Sequence, residues 1–278
     1  MKIVDFDGMF DEKIAQFVKE RKKKRSSKAW EDVIPKLYKQ FGDTYVAKIK
    51  CTPKEYYAKM STETLVETLV EHVSQKISVP EFLISELEKR EVTQGVLSLL
   101  EGDCALYAVG LLGDNPLAFD GYFSALEKLE GEEELKGEIV SILSEHADEV
   151  KTRALARYQK GVEKEYMLHI LSRVKTRDEE VYQTLANAFL EADEWKLVLR
   201  AGYLATYGDE RALGLLLRKL EDRSIGFIEF QELKYAVDAL GGEYDEERDF
   251  SMDKDWKYFR ITVVDKAGKR AYTNAYFA

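Results

Sequence analysis

The sequence has only 4 prolines and 2 cysteines among its 278 residues, and it lacks any long apolar run. It has neither the roughly 18 consecutive apolar residues of a membrane helix nor, in the amino-terminal stretch MKIVDFDGMFDEKI, the apolar core of a signal peptide. A cytoplasmic protein that does not enter a membrane is therefore predicted. Cys51 and Cys104 lie far apart and outside any CxxC pattern, so neither a disulfide framework nor a zinc site is indicated. Both are expected to be buried.

Charges of both signs are abundant but do not balance, and the formal net charge is -10. This excess of carboxylates disfavours long-range attraction to nucleic acid phosphates. The run KERKKKRSSK at residues 19–28 is a local exception, and at the end of a helix it would complement the negative end of the helix dipole. With 45% apolar and 34% charged residues, the chain is not expected to be disordered, and helices with charged surfaces are favoured.

Apolar residues recur at helical spacing almost without pause from residue 115 to about residue 240. Short breakers such as GDNP (113–116), EADE (191–194), YGDE (207–210) and GGE (241–243) separate the segments. Neighbouring helices are therefore expected to pack antiparallel, as helical hairpins. The stripes predicted to be buried are Leu135, Ile139, Ile142 and Leu143; Met167, Ile170, Leu171 and Val174; Val181, Leu185, Ala186, Ala188 and Phe189; Leu213, Leu216, Leu217 and Leu220; and Leu233, Ala236, Val237 and Leu240.

Three glycines mark an internal repeat. The pieces AVGLLGD, YLATYGD and AVDALGG align on Gly113, Gly208 and Gly241. Gly208 and Gly241 are 33 positions apart, and Gly113 precedes Gly208 by 95 positions, which is close to three periods of about 32 residues. Each glycine is predicted to follow the last turn of a helix, where the backbone needs a positive φ.

Helix pairs that end in an LG-D turn and continue into an Ala/Leu-rich helix such as ERALGLLLRKLED resemble short HEAT-like repeats. The resemblance covers residues 92–245 and implies an all-α protein, specifically an α-solenoid of antiparallel helix pairs with a continuous core and an extended concave surface. Residues 1–91 are then expected to form a helical cap on the first repeat. Residues 246–278 are expected to form a carboxy-terminal extension.

The two flanking regions carry their own local signals. Pro53 after Thr52 and Pro80 near Ser78 suit the first turns of helices, and Ser61 begins a capping-box-like STET. At the carboxy terminus, YFRITVV and RAYTNAYFA alternate in period two around DKAGK, which predicts a β-hairpin. A lone hairpin is marginally stable in water, so we expect it to dock on the last helices.

The segment DRSIGFIEFQEL at residues 222–233 looks like the second half of a calcium-binding loop. With Gly226 at the sixth position, Glu232 falls at the twelfth, where a bidentate ligand belongs. Arg223 and Ile225 then occupy the third and fifth positions, where the ion requires oxygen ligands. No calcium site is therefore predicted; the segment is interpreted as the turn inside the last helix pair, with Phe227 and Phe230 packed into the core.

A minor alternative is a magnesium-dependent phosphatase. DFDG at residues 5–8 resembles the nucleophile loop of haloacid dehalogenase phosphatases, which implies Asp5 as nucleophile and Asp7 as general acid. GDNPLAFD at 113–120 resembles their magnesium-binding loop, with Asp114 and Asp120 as ligands. That fold requires parallel strands alternating with helices, which residues 9–245 do not predict. The competing interpretation makes Asp5 and Asp7 capping or turn residues before the first helix.

No catalytic motif is present otherwise. His72, His146 and His169 belong to separate segments without metal-ligand spacing, and GxSxG, P-loop and GxGxxG patterns are absent. The sequence therefore predicts no catalytic residue, no cofactor and no metal. Surface or lining positions are expected for the histidines.

Two groups of residues are candidates for binding a partner. Trp195, Tyr203 and Tyr207 lie along one predicted helix together with Arg200, and aromatic and arginine residues often anchor protein interfaces. Packing between repeats is the competing interpretation for this group. Arg153 and Arg157, with Lys160, lie near one helix face and could hold an acidic peptide or a phosphate. Their competing interpretation is a solvated helix surface.

The function predicted from these patterns is non-enzymatic binding of a protein or peptide along the inner surface of the solenoid, as an adaptor, scaffold or inhibitor. The alternative is a nucleic-acid-binding enzyme of the HEAT-like DNA glycosylase kind. Such enzymes are expected to be basic, so the acidic composition disfavours nucleic acid as the partner.

Overall fold

The computed structural model describes residues 3–21, 30–246 and 248, together with the backbone of four short strands between residues 258 and 277. Fifteen α-helices and three 3₁₀-helices make up almost all the regular structure of the described residues up to 246. The predicted all-α class is confirmed. Among the described residues, no helix is long and apolar enough to cross a bilayer.

The helices are numbered in chain order. They are α1 (Phe6–Arg21), α2 (Ile34–Phe41), α3 (Pro53–Ala58), α4 (Thr62–Ser74), α5 (Glu81–Leu87), α6 (Gln94–Ser98), α7 (Ala105–Leu112), α8 (Phe119–Lys128), α9 (Glu133–Glu145), α10 (Ala147–Gln159), α11 (Lys164–Ser172), α12 (Glu179–Leu190), α13 (Glu194–Tyr207), α14 (Leu213–Leu220) and α15 (Phe227–Ala239). The 3₁₀-helices span Leu99–Glu101, Pro116–Ala118 and Glu210–Ala212.

The chain divides into two compact units, Met1–Arg177 and Asp178–Ala278. The predicted boundaries of the cap, the repeat region and the extension, at residues 91/92 and 245/246, stay predictions. The solenoid arrangement also stays a prediction.

Four helix pairs follow one another in the part of the chain assigned to repeats. In the first unit α8 pairs with α9 and α10 with α11; in the second unit α12 pairs with α13 and α14 with α15. Within each unit the second helices of consecutive pairs also contact each other, α9 with α11 and α13 with α15. Nearly all the predicted apolar stripes are buried as expected; the exceptions are Ile142, Leu213 and Leu217, which are half-buried.

The three aligned glycines occupy the predicted turns. Gly113 and Gly208 directly follow α7 and α13, Gly241 closely follows α15, and φ is +48°, +74° and +77° respectively. Residues with a Cβ rarely adopt this backbone region, which explains why glycine recurs at the period of the helix pairs. The sequence prediction of a positive φ at these positions is confirmed.

The segment that resembles a calcium loop is a turn between α14 and α15. Asp222 Oδ1 accepts hydrogen bonds from the Ser224 backbone N at 2.9 Å and from the Ser224 hydroxyl at 2.6 Å, and its Oδ2 lies 2.8 Å from Lys219 Nζ. Ile225 and Phe230 are buried. The prediction that Phe227 packs into the core is wrong, because it occupies the exposed first position of α15 and its side chain is 46% exposed.

The local signals of the amino-terminal region are largely confirmed. The Thr52 hydroxyl accepts a hydrogen bond from Glu55 N while the Glu55 carboxylate accepts one from Thr52 N, so the two residues form a complete capping box with Pro53 at the first helical position. Ser61 caps α4 through the Thr64 backbone N. Pro80 is the residue before α5 rather than a member of its first turn. Cys51 and Cys104 are buried free thiols, as predicted.

An aromatic cluster joins α1 to the helices that follow it. Phe6 contacts Tyr57 edge-on with ring centroids 5.6 Å apart, and Phe10 contacts Tyr38 in the same way at 4.9 Å. Tyr38 in turn stacks on Phe82 of α5 at 4.7 Å. Aromatic pairs of this geometry stabilise beyond the area that they bury.

Asp7 connects α1 to α2 and to the α4–α5 connection through hydrogen bonds. Its carboxylate accepts from the hydroxyl groups of Tyr38 on α2 and Ser78 in the α4–α5 connection. Burial and the Asp7 carboxylate raise the pKa of Tyr38 well above its usual range, so the phenol stays protonated and donates to Asp7 at all ordinary pH values. Asp5 caps α1 by accepting a hydrogen bond from Gly8 N at 2.8 Å.

At the carboxy terminus, strands β1 (Tyr258–Phe259) and β4 (Tyr276–Phe277) pair antiparallel, as do β2 (Thr262–Val264) and β3 (Arg270–Tyr272). The connecting residues 265–269 and the strand side chains lie outside the described residues. The predicted hairpin and its docking on the helices therefore stay predictions. Most of the basic run at 19–28 lies outside the described residues as well.

We predict that Asp7→Asn destabilises the protein by about 1–3 kcal/mol, because one amide oxygen cannot replace the two carboxylate oxygens that accept from Tyr38 and Ser78. Urea unfolding followed by circular dichroism measures the change. Asp11→Asn removes the same charge from an exposed position of the same helix and serves as the control. Equal stability of the two variants would contradict the role of Asp7.

Candidate functional site

The predicted partner-binding residues of α13 differ sharply in exposure. Trp195 is 94% exposed, whereas Arg200, Tyr203 and Tyr207 are buried. Arg200 Nη1 donates to the Ala188 carbonyl at 2.7 Å, and the Tyr207 hydroxyl accepts from Asp178 N at 2.9 Å. Packing between neighbouring helices, which was the competing interpretation, accounts for the three buried residues. Of this group, only Trp195 offers a partner an accessible side chain.

Arg153 and Arg157 on α10 are both held by carboxylates of α8. Arg153 Nε lies 2.8 Å from Asp120 Oδ1, and Arg157 Nε lies 3.1 Å from Glu127 Oε1. The Arg157 guanidinium also lies over the Phe123 ring, 4.5 Å from its centroid. Because two carboxylates neutralise the two guanidinium groups, this helix face is a weak attractor for an added anion.

Three of the four carboxylates of the phosphatase-like motifs have separate partners. Asp5 caps α1, Asp7 accepts from Tyr38 and Ser78, and Asp120 pairs with Arg153. Among the described residues, no group of three or more His, Cys, Asp or Glu side chains is placed to hold a metal ion.

The histidines occupy three different environments. His72 is fully buried with Nδ1 2.7 Å from the Ser78 carbonyl, so the expectation of a surface or lining position is wrong for it. His146 is the single residue between α9 and α10, and its ring packs on Phe119 with centroids 5.0 Å apart. His169 lines a groove, as expected.

This groove lies along α9 and α11, the two second helices of the first unit. Its volume is about 710 Å³, which is enough for several side chains of a peptide. From α9 it is lined by Gly137, Val140, Ser141, Ser144 and Glu145, and from α11 and the residues after it by Tyr166, His169, Arg173 and Lys175.

Two polar contacts fix the amino-terminal ends of α9 and α11 side by side. The Tyr166 hydroxyl donates to Glu133 Oε2 at 2.6 Å, and this bond together with partial burial raises the pKa of Tyr166 to about 12. Lys136 Nζ lies 3.0 Å from Glu163 Oε1. Both contacts join the start of one helix to the start of the other. Asp148, just beyond the end of α9, accepts from the backbone of Lys175 and Thr176, just beyond the end of α11. Since the starts lie together and the ends lie together, α9 and α11 run parallel and form the two sides of the groove.

The other end of the groove carries two cations. Arg173 is the residue after α11 and Lys175 follows two positions later, and both are exposed. Within the described residues, neither the Arg173 guanidinium nor the Lys175 ammonium makes an ion pair. They differ in this respect from Arg153 and Arg157, which have carboxylate partners.

Asp148 of α10 anchors the backbone that carries Lys175. Its carboxylate accepts from the Lys175 backbone N at 3.1 Å, from the Thr176 backbone N at 3.0 Å and from the Thr176 hydroxyl. The hydroxyl bond from Thr176 is the main reason that the pKa of Asp148 is lowered. The loop that ends the groove is therefore fixed by a charged acceptor as well as by the buried Val174.

Neutral polar groups line the middle of the groove. Burial and the neighbouring Arg173 hold the pKa of His169 below its usual range, so its imidazole is neutral at pH 7. Ser141 is exposed on the α9 side. Next to it in the groove, Ser144 Oγ is buried and has no hydrogen-bond partner within the described part of the chain.

Sequence reasoning missed this group of residues. Tyr166, His169 and Arg173 are three and four positions apart, so they share one helix face, beside the apolar stripe of α11. That spacing is readable from the sequence. Which helix lies beside that face is not, and the pairing of α11 with α9 is what makes a groove from it.

Comparisons with protein-family models, with curated proteins and with solved structures found no match to this chain.

We predict that Arg200→Ala and Tyr203→Ala each lower the free energy of unfolding by about 2 kcal/mol or more, because each removes a buried side chain from the α12–α13 region. Trp195→Ala, on the same helix but exposed, should change it by less than about 0.5 kcal/mol. Thermal or urea denaturation separates the two classes. Equal effects of all three substitutions would show that the burial pattern of α13 is wrong.

Acidification should weaken the Asp148 anchor. The pKa of this carboxyl is lower in the folded than in the unfolded chain, so its stabilisation is complete above the unfolded value of about 3.9 and is lost as the pH falls through the folded value. Asp148→Asn should therefore be less stable than the wild type at pH 7. This gap in the free energy of unfolding should narrow as the pH falls below about 4. Urea unfolding at a series of pH values measures the gap, with the exposed Asp238→Asn as the charge-matched control. A gap that stays constant down to pH 2.5 would contradict the anchor.

Proposed function

We propose that this protein is a non-enzymatic binding protein of HEAT-like helix pairs, and that it holds a protein or peptide segment in the groove between α9 and α11. The groove is the observation that carries the proposal. It is open, about 710 Å³ in volume, and lined along two parallel helices by side chains that offer hydrogen bonds and charge. An adaptor or scaffold role in the cytoplasm is part of the same proposal.

The chemistry of the groove favours binding over catalysis. Its hydroxyl, imidazole and guanidinium groups are recognition groups, and Tyr166 is engaged with Glu133. His169 contributes a neutral ring, and Ser144 Oγ has no base within hydrogen-bond reach in the described residues, so no nucleophile is activated in the usual way. A partner can be held here by several weak contacts without any bond being broken.

Two features count against nucleic acid as the partner. The net charge of -10 repels a polyanion at long range, and the basic face of α10 is neutralised by Asp120 and Glu127. A glycosylase-like grip on duplex phosphates would need a continuous row of free cations, whereas the groove offers two.

Gly137 allows the groove to be blocked without disturbing the core. It lies on the exposed side of α9, and a Cβ added there meets nothing within 4 Å. We predict that Gly137→Phe places a ring in the groove and weakens peptide binding at least about tenfold, whereas Gly137→Ala binds normally and is slightly more stable because alanine favours the helix.

The measurement uses peptides enriched from a random phage-displayed library on the wild-type protein. Their affinities for the wild type, Gly137→Ala and Gly137→Phe are compared by fluorescence polarisation, with circular dichroism to confirm that all three fold. Enriched peptides that bind Gly137→Phe as tightly as wild type would place the site elsewhere. A library that yields no specific peptide would contradict the binding function itself.

A further inference from the structure

We infer that the segment bound in the α9–α11 groove carries an anionic side chain, a carboxylate or a phosphate, which Arg173 and Lys175 hold together. This inference rests on the proposed function, since it assigns the chemistry of the ligand to the groove proposed above. It concerns the end of the groove opposite the Tyr166–Glu133 contact.

The first support is that neither cation makes an ion pair with a carboxylate of the described residues. Their positions near the end of α11 favour a positive charge through the helix dipole, but one such interaction is worth only about 0.3–1 kcal/mol and leaves the hydrogen-bonding groups free. The planar guanidinium of Arg173 can donate two parallel hydrogen bonds to a carboxylate or a phosphate. The Lys175 ammonium can add a second charge to the same anion.

The second support is that the cations are positioned rather than loosely attached. The apolar stripe of α11 packs this helix into the core. Arg173 directly follows the last residue of α11, and its backbone N donates to the carbonyl groups of Ile170 and Leu171 in that helix. Asp148 accepts from the backbone of both Lys175 and Thr176. A fixed backbone reduces the entropy lost on binding, because only the side chains remain to be ordered.

The third support is the low charge of the rest of the groove. His169 is neutral at pH 7, Ser141 and Ser144 are hydroxyls, and the Tyr166 phenol stays protonated. Glu145 at the α9 side is the one carboxylate that lines the described groove. The balance of lining charges is therefore positive in a protein whose net charge is strongly negative. An anionic side chain in a peptide context fits this arrangement, as in other motifs that are read by arginine clusters.

Charge reversal provides the test. We use synthetic peptide arrays with phosphoserine, glutamate, serine or lysine at a fixed central position and mixed residues around it. The wild type should retain phosphoserine- or glutamate-centred peptides about tenfold better than serine-centred ones. The Arg173→Glu/Lys175→Glu variant should lose that preference and bind lysine-centred peptides instead. A merely structural role of the two cations cannot produce this inversion.

The control is Lys36→Glu/Arg218→Glu, which changes the net charge equally at two exposed positions outside the groove. It should keep the preference of the wild type. Comparison of phosphoserine with glutamate in the central position identifies which anion is the better ligand. A single-stranded oligonucleotide that binds the wild type more tightly than any peptide, and is lost in the groove variant, would overturn the assignment to a peptide.

The two proposals fail in different ways. If the wild type binds peptides that Gly137→Phe does not, but with equal affinity for serine-, glutamate- and phosphoserine-centred sequences, the groove is a binding site and the anionic clamp is wrong. If no array peptide binds the wild type, both proposals are wrong. If the preference is the same in the charge-reversed variant as in the wild type, Arg173 and Lys175 do not read the ligand.

Discussion

An amphipathic helix can bury only part of its circumference, and the candidate groove depends on which part α9 and α11 bury. α9 places Leu135, Ile139 and Leu143 in the core, and α11 does the same with its Met167 stripe. Apart from Val140, the residues that line the groove from the other faces of the two helices are small or polar. Because the two helices run parallel and contact each other, their remaining sides form one groove rather than two separate surfaces. Apolar burial therefore decides where the polar recognition groups lie.

Much of the helical architecture was predictable because local sequence patterns determine it. The apolar periodicity gives the helices, and the positive φ that glycine tolerates marks the turns after α7, α13 and α15. The same signals could not tell a surface aromatic residue from a packed one. Trp195 and Tyr203 have the same chemical character and share a helix, but only the second lies on the side that contacts neighbouring helices. The prediction for Phe227 was wrong for a similar reason, because the sequence does not show whether the first residue of α15 is exposed or buried.

Long-range pairing was the part that sequence could not supply. Arg153 and Arg157 form a basic helix face in the sequence, yet Asp120 and Glu127 from α8 neutralise it. Arg173 and Lys175 are less conspicuous in the sequence, and their free charge becomes evident only when their surroundings are known. In the same way, Asp5 and Asp7 resemble a catalytic pair, but one caps α1 and the other accepts from Tyr38 and Ser78.

An acidic protein can still bind an anion locally. At physiological ionic strength charges more than about 8 Å apart are largely screened, so most of the distant carboxylates have little effect on a ligand in contact with Arg173. Two charge-assisted hydrogen bonds at contact distance outweigh that residual repulsion. The net charge then limits the association rate and the choice of partner. It favours a short peptide with one anionic side chain over a polyanion.

The central claim is that the partner occupies the groove between α9 and α11, and chemical-shift mapping tests it most directly. Backbone amide spectra of the deuterated, ¹⁵N-labelled protein are recorded during titration with a phosphoserine-centred or glutamate-centred peptide. The account predicts that the largest shift changes fall in residues 137–145 and 166–175. Largest changes on the Arg153–Arg157 face or around Trp195, with residues 137–145 and 166–175 unaffected at saturation, would contradict it.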